Sequence, residues 1–469
     1  MKRLAFALLL GGCATLGPDY KRPQMDLPAQ YPQPAQPSAA ALAADWWTLY
    51  ADATLDGLVA SAQKANADVR LAAARVQEAE GALAEARAAF FPELTGSYAY
   101  TRSRVSTVAS PPVPAGLPLL RPNHTLAAST NFELDFWGRF ARASEAARAN
   151  LLGADYAREV VQLSLAGAIA QAYFALRSFD TQLAVLDNTI RVRRESLDIA
   201  QARLDAGLAS ELDVQQARGA LADALVQRRD AERSRTLAEH QIAQLTGSLD
   251  LKLASGELFA LPVAPVPPPG LPSALLERRP DIRQAEETLV AANAQIGIAR
   301  AAMFPTISLT AQAGAQSAEL GDLLTSGAKI WTVGFGLALP LFDAGRREAR
   351  VEQARARREQ ALAGYQRAVE TGFREVADAL VNVQQSGESE AELKARLDAA
   401  RAALELSTLR YEKGYSPYLE VLDAQRTAND AELAFVRNRQ ARLAFSVDLM
   451  KALGGGWNPG TGPGPAGKR

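Results

Sequence analysis

The 469-residue chain contains one cysteine, Cys13, and two widely separated histidines, His124 and His240. A single thiol excludes an internal disulfide, and two isolated imidazoles with no cysteine partner do not make a zinc site. An excess of charge of either sign is also missing: the formal net charge is −1, so no basic surface invites nucleic acid. There is no Gly-x-Gly-x-x-Gly opening a helix after a strand, no phosphate-cradling P-loop and no Gly-x-Ser-x-Gly elbow, so no catalytic constellation and no cofactor are expected. Gly454-Gly455-Gly456 precedes no helical pattern and reads as the start of a disordered Gly/Pro tail, 454–469. Proline is absent between Gly138 and Gly207 and again between Gly345 and Gly414. Without that helix breaker, two very long helices are allowed.

What is present starts with Lys2 and Arg3, followed by the apolar run Leu4 to Leu10. That run is far short of the ~20 residues a membrane-spanning helix needs, and it fits the core of an export signal over 1–12. Leu10-Gly11-Gly12-Cys13 resembles a bacterial lipobox, in which the cysteine is lipidated and becomes the mature N-terminus. An extended lipidated segment, 13–53, then follows. Ala14 rather than Asp after the cysteine resembles lipoproteins sorted to the outer membrane.

The chain also repeats itself. "ADVRLAAARVQEAEGALAEARAAFFP" at 67–92 resembles "PDIRQAEETLVAANAQIGIARAAMFP" at 280–305, with Pro92 and Pro305 213 residues apart. "RLDAGLASELDVQQAR" at 203–218 resembles "RYEKGYSPYLEVLDAQ" at 410–425, with Gly207 and Gly414 207 residues apart, as are Gly138 and Gly345, and Gly247 and Gly454. The change of offset places the length difference in one loop, 102–128 against 316–330. Matches that keep their order indicate two copies of one unit, 54–261 and 275–453, joined by the Pro-rich linker 262–274.

Each copy reads helix, two strands, very long helix, turn, long helix. Ala, Leu, Glu, Arg and Gln dominate the helical parts, and all are good helix formers. A helix of about 65 residues is roughly 100 Å long and needs coiled-coil support. Val369, Phe373, Val376, Leu380 and Val383 supply a heptad seam. Strands are expected near 94–104, 129–138, 306–315 and 331–341. Val333, Phe335, Leu337, Leu339 and Leu341 alternate with Thr332, Gly334, Gly336 and Ala338. Strands of about 10 residues suit a membrane barrel, while the same pattern also fits a buried soluble hairpin. The leader and lipobox favour the membrane.

Backbone groups in hydrocarbon must all be paired, so a membrane sheet has to close on itself, and four strands are too few. Three chains together supply twelve. The fold expected is therefore mainly α with membrane β: a homotrimeric 12-stranded barrel continued by a long α-helical coiled-coil barrel.

"GPDYKRP" at 17–23, "ERRPDIRQAE" at 277–286, "FPTISLT" at 304–310, "LPLFDAGRR" at 339–347 and "RYEKGYSPYLEVLDAQR" at 410–426 resemble signatures of trimeric outer-membrane efflux channels of the TolC/OprM/NodT type, over 17–453. The resemblance implies the passive exit duct of a tripartite pump, partnered by a periplasmic adaptor and an inner-membrane pump of the RND type. It also implies a periplasmic gate at two helix–turn–helix tips, near 205–215 and 412–422. Gly207 and Gly414 would form the turns. Leu419, Glu420 and Asp423 match the constricting positions, and Asp213 and Tyr411 match a contact that holds the closed state. Ser416 stands where some relatives are basic. Read without the resemblance, Glu420 and Asp423 are also ordinary acids at a helix start. Two rivals are a lipid-anchored periplasmic coiled-coil adaptor, which would show a lipoyl-like β-domain and one hairpin, and an envelope enzyme.

Overall fold

The computed structural model describes residues 15–28, 30–31, 43–108, 116, 118–266 and 275–456. Cys13, the export signal, most of the linker and most of the tail lie outside the described residues.

Among the described residues, seven helices of more than ten residues make up most of the structure: α1 Ala53–Ala65, α2 Ala67–Ala88, α3 Arg139–Asp205, α4 Glu211–Thr246, α5 Pro280–Ala301, α6 Arg346–Glu412 and α7 Tyr418–Ala452. A single helical turn, Leu275–Arg278, precedes α5. The proline-free stretches became α3 and α6, each 67 residues long. α2 and α5 are 22 residues each, and α4 and α7 are 36 and 35.

Four strands, β1 Glu93–Arg104, β2 Leu120–Leu134, β3 Thr306–Ser317 and β4 Lys329–Ala338, form one antiparallel sheet in the order β1-β2-β3-β4. β2 differs from expectation at both ends. Residues 120–128, expected as loop, pair with β1 from Ala128↔Gly96 out to Leu120↔Arg104. At the other end β2 stops at Leu134, where the Asp135 carboxylate accepts the Ala141 N–H at 2.9 Å and turns the chain into α3. The extra residues of this hairpin therefore lengthen a strand as well as a loop. β4 ends at Ala338, just before Pro340, which has no N–H to donate to a ladder.

By contacts the chain divides into two compact units, and both units draw on both halves of the sequence. The first takes the described residues of Met1–Gln24, Val76–Ala154 and Ala285–Tyr365; the second takes those of Met25–Arg75, Asp155–Gln284 and Gln366–Arg469.

In the first unit, the segment 15–22 is strapped onto α3 and α5. Gly17, at φ 103°, lies so close to Gly297 that a Cβ on either would clash with backbone, and Gly138 likewise abuts Thr15. Asn293 donates to the Pro18 carbonyl at 2.7 Å, and Arg142 donates to Asp19 and to the Leu16 carbonyl. Arg22 forks onto the buried Glu286 at 2.7 and 2.9 Å, and Tyr20 donates to the same carboxylate. The strap thus places Thr15 where β2 hands over to α3.

The core of the second unit gathers Trp46, Tyr50, Leu55 and Val59 against Ile169, Tyr173 and Phe174 of α3, Ile242 of α4, and Leu443 and Val447 of α7. Asp52 caps α1 by accepting from Thr54 and Leu55 N–H, and also accepts from the Tyr173 hydroxyl at 2.7 Å. Along α6, Val369, Val376, Leu380 and Val383 are buried, and Phe373 stacks on Tyr31 at 5.3 Å. In the "ERRPDIRQAE" stretch the buried Arg279 joins Asp281, Glu375 and the Ala452 carbonyl. Burial depresses its basicity, but its two carboxylate partners more than offset that, so it titrates above the usual arginine range.

Candidate functional site

Both expected turns share one local geometry. α3 and α6 end at Gly207 and Gly414, which take φ 69° and 80°, a region that costs glycine little. The Gly207 N–H bonds to the Leu204 carbonyl and the Leu208 N–H to Arg203; Gly414 bonds to Tyr411 and Tyr415 to Arg410. Each pair satisfies the orphan carbonyls of a helix end in the manner of a Schellman motif.

The restarts differ. Ser210 caps α4 by a capping box: its hydroxyl accepts the Asp213 N–H, and the Asp213 carboxylate accepts the Ser210 N–H at 3.2 Å. Pro417 begins α7 with no side-chain cap. Between the two hairpins Ala200, Val214, Ala217, Tyr411, Tyr418 and Val421 pack as one buried cluster. The Tyr411 and Tyr418 rings are 5.4 Å apart. The Arg203 guanidinium lies 4.3 Å over the Tyr411 ring and donates to the Glu412 carbonyl.

The expected pair Asp213 and Tyr411 is brought to this one corner without a bond between them. The Tyr411 hydroxyl is buried with no hydrogen-bond partner, and the Asp213 carboxylate is engaged in its cap. Burial raises the Tyr418 phenol, with the neighbouring Tyr411 and the Asp213 charge adding to the rise, and Ser196 and Arg193 opposing it.

Leu419, Glu420 and Asp423 share the exposed face of the first turns of α7. Both acids have arginines on their own chain: Arg426 reaches Asp423 at 2.9 Å, and Arg410 reaches Glu420 at 3.8 Å. All four side chains are largely exposed, so neither pair adds much stability. They do, however, dilute the negative charge that Glu420 and Asp423 would present alone. The i,i+3 spacing of Asp423 and Arg426 was a usable signal for this. Tyr418 and Arg203, which hold the Tyr411 ring, gave no comparable signal, because the partners lie on separate helices. Among the described residues no group of His, Cys, Asp and Glu could hold a metal ion.

The outer membrane efflux protein family model matches residues 58–248 and 271–455. The chain belongs to that family. The solvent efflux pump outer membrane protein SrpC of Pseudomonas putida is 35% identical to this outer membrane efflux protein over 469 residues, covering 97% of each chain. The outer membrane protein OprJ of Pseudomonas aeruginosa is 35% identical, covering 97% of this chain and 96% of its own. Among solved structures, the open state of the Neisseria gonorrhoeae MtrE outer membrane channel superposes with a TM-score of 0.85 at 29% identity, covering 94% of this chain and 98% of its own. The outer membrane efflux protein is thus the outer-membrane channel component of an efflux system, and the adaptor reading falls away.

Proposed function

We propose that three copies of the outer membrane efflux protein form one passive duct, a 12-stranded barrel continued by a helical coiled-coil barrel. The observation that carries this reading is the sheet itself. Its order leaves β1 and β4 as edges. One face carries the exposed Leu94, Trp331, Val333, Phe335 and Leu337. The other lines a hollow with Glu93, Thr95, Ser129, Asn131, Thr310, Gln312 and Thr332. Unpaired edges are intolerable in hydrocarbon, so β4 of one copy pairs with β1 of the next. A wet inner face and an apolar outer face are what such a barrel requires.

The equal lengths of α2 and α5, and of α3 and α6, support two copies of one unit, 54–261 and 275–453, around the linker 262–274. In this reading the helices reach into the periplasm, where the hairpin tips meet a periplasmic adaptor and, through it, an inner-membrane RND-type pump. The tips form the gate, with Leu419, Glu420 and Asp423 lining the narrowest passage. A lipid on Cys13 tethers each copy; the strap supports this by holding Thr15 at the end of the sheet. Relatives are named for solvent, toluene and antibiotic efflux, which points to small organic molecules as cargo.

Mass measurement of the detergent-solubilised protein, followed by conductance in a planar bilayer, tests the assembly. Three chains per conducting particle are expected. A monomer with full conductance overturns the reading.

A further inference from the structure

The apolar face of the sheet changes character along its length. Side chains alternate across a strand, so the pairing register lays this face out in rows. From the helix end the rows run Leu134, Ile307, Leu337; then Phe132, Leu309, Phe335; then Leu94, Thr130, Ala311, Val333; then Gly96, Ala128, Ala313, Trp331. The next rows are Tyr98, Leu126, Ala315, Lys329, then Tyr100, His124, Ser317, and finally Arg102 beside Pro122 and Arg104 beside Leu120.

Every formal charge that the four strands place on this face is therefore positive, and all three lie at the hairpin end. The acids of the strands, Glu93 and Glu133, fall on the opposite face. Arg102, Arg104 and Lys329 are exposed, and no acidic side chain pairs with them among the described residues. Just below the arginines, the Tyr98 hydroxyl meets His124 Nδ1 at 2.9 Å, and the Tyr100 ring lies 4.7 Å from the His124 ring.

Depth can be read from the register. Leu337 to Lys329 is about 27 Å along the strand, or roughly 20 Å once a barrel strand tilts by about 40°. On β1, Arg102 stands four residues beyond Tyr98, about 10 Å further out on the same basis. The apolar band of a barrel is about 25 Å tall with aromatic residues at its rim. Trp331, Tyr98 and Tyr100 therefore sit at the rim. Arg102 and Arg104 stand at headgroup level on β1, and Lys329, at the hairpin end of β4, has a long stem that lets its ammonium reach out toward the headgroups.

We propose that Arg102 and Arg104 on edge strand β1, with Lys329 of the copy whose β4 the barrel reading sets beside it, bind the phosphate groups of a phosphorylated glycolipid in the outer leaflet of the outer membrane. The proposal rests on the barrel reading above, which puts the hairpin end outside. Guanidinium groups suit phosphate because their planar fork donates two parallel hydrogen bonds. Among the described residues the strands put no carboxylate on this face, and Glu319 and Asp322 in the β3–β4 connection pair with none of the three cations. A purely apolar lipid contact explains the lower rows and leaves these unexplained.

The test uses the full-length protein in non-ionic detergent, with bisphosphorylated lipid A, its dephosphorylated form and phosphatidylglycerol as probes, read by native mass spectrometry. The wild type is expected to retain bisphosphorylated lipid A in preference to the other two. The variant with Arg102→Ser, Arg104→Ser and Lys329→Ser is expected to lose ten- to roughly 100-fold in retention, and added salt should shrink the difference. Arg102→Lys with Arg104→Lys should keep most of it. The probe comparison on wild type alone decides the matter even if the triple variant does not assemble. Equal retention of the dephosphorylated lipid, or of phosphatidylglycerol, overturns the proposal, as does a triple variant within about twofold of wild type. Planar-bilayer conductance, recorded in parallel, separates failure of this site from failure of the barrel reading.

Discussion

Gly17 and Gly297 lie back to back: a Cβ on Gly17 would sit 2.5 Å from Gly297 Cα, and one on Gly297 would sit 2.6 Å from the Leu16 carbonyl oxygen. The strap is thus seated by two missing side chains, one on each partner. Gly297→Val should unseat it. Overpacking of this kind costs about 1–3 kcal/mol. The expected outcome is a lower melting temperature in detergent and rapid proteolysis of the strap, 15–22. Gly81→Val, on an open helix face, is the control and should change neither.

The tip makes a second prediction. Because the Tyr411 hydroxyl has no partner, Tyr411→Phe alone should leave single-channel conductance unchanged. Arg203→Ala removes the cation over that ring and should raise the frequency of open events, with a loss of about 0.5–2 kcal/mol in tip packing. Asp213→Ala should fray the start of α4, since its carboxylate completes the capping box. If Tyr411→Phe opens the channel as strongly as Arg203→Ala, a bond formed only in the assembled trimer holds the closed state.

Charge at the proposed gate is readable as ion selectivity. Asp423→Ala with Glu420→Ala should weaken cation preference, and Arg426→Ala with Arg410→Ala should strengthen it, because each arginine is paired with one of those acids. Reversal potentials across a salt gradient provide the measurement. Unchanged selectivity in both double variants would place the charge ring elsewhere.

The sheet gives the fourth prediction. Leu337 and Thr332 belong to the same strand and opposite faces. In the barrel reading, Leu337→Arg puts a charge into lipid at a cost of about 2–4 kcal/mol near the midplane and should abolish heat-resistant oligomers. Thr332→Arg points to the wet hollow and should assemble normally with reduced conductance. Similar assembly of both variants would contradict the face assignment.

Much of this was legible in the residues before any coordinates. The absence of proline after Gly138 and Gly345 announced two long helices, because one ring nitrogen without a hydrogen is enough to interrupt an i→i−4 ladder. Gly207 and Gly414 marked the turns, because the left-handed backbone of a helix end is cheap for glycine alone. Alternation over 332–341 marked a strand with two unlike faces. The extent of β2 was not legible: residues 120–128 contain Pro122 and little alternation, and they are strand only because β1 pairs along all of them and β3 along 124–128. The same holds at the tip. Glu420 and Asp423 could be named from their place after a turn, but the seat of the Tyr411 ring could not.

What the sequence determined by itself is local and periodic: which stretches are helix, where they turn, how strands alternate, and that the pattern occurs twice. Tertiary structure alone decided which distant groups meet: Arg22 on Glu286, Arg203 over Tyr411 and Gly17 against Gly297; it also set three cations at the same end of one sheet face, two on edge β1 and one on edge β4. The physical reason is that periodicity records which side of an element is buried. The partner across the gap depends on register and packing between segments that lie, for Arg22 and Glu286, 264 residues apart.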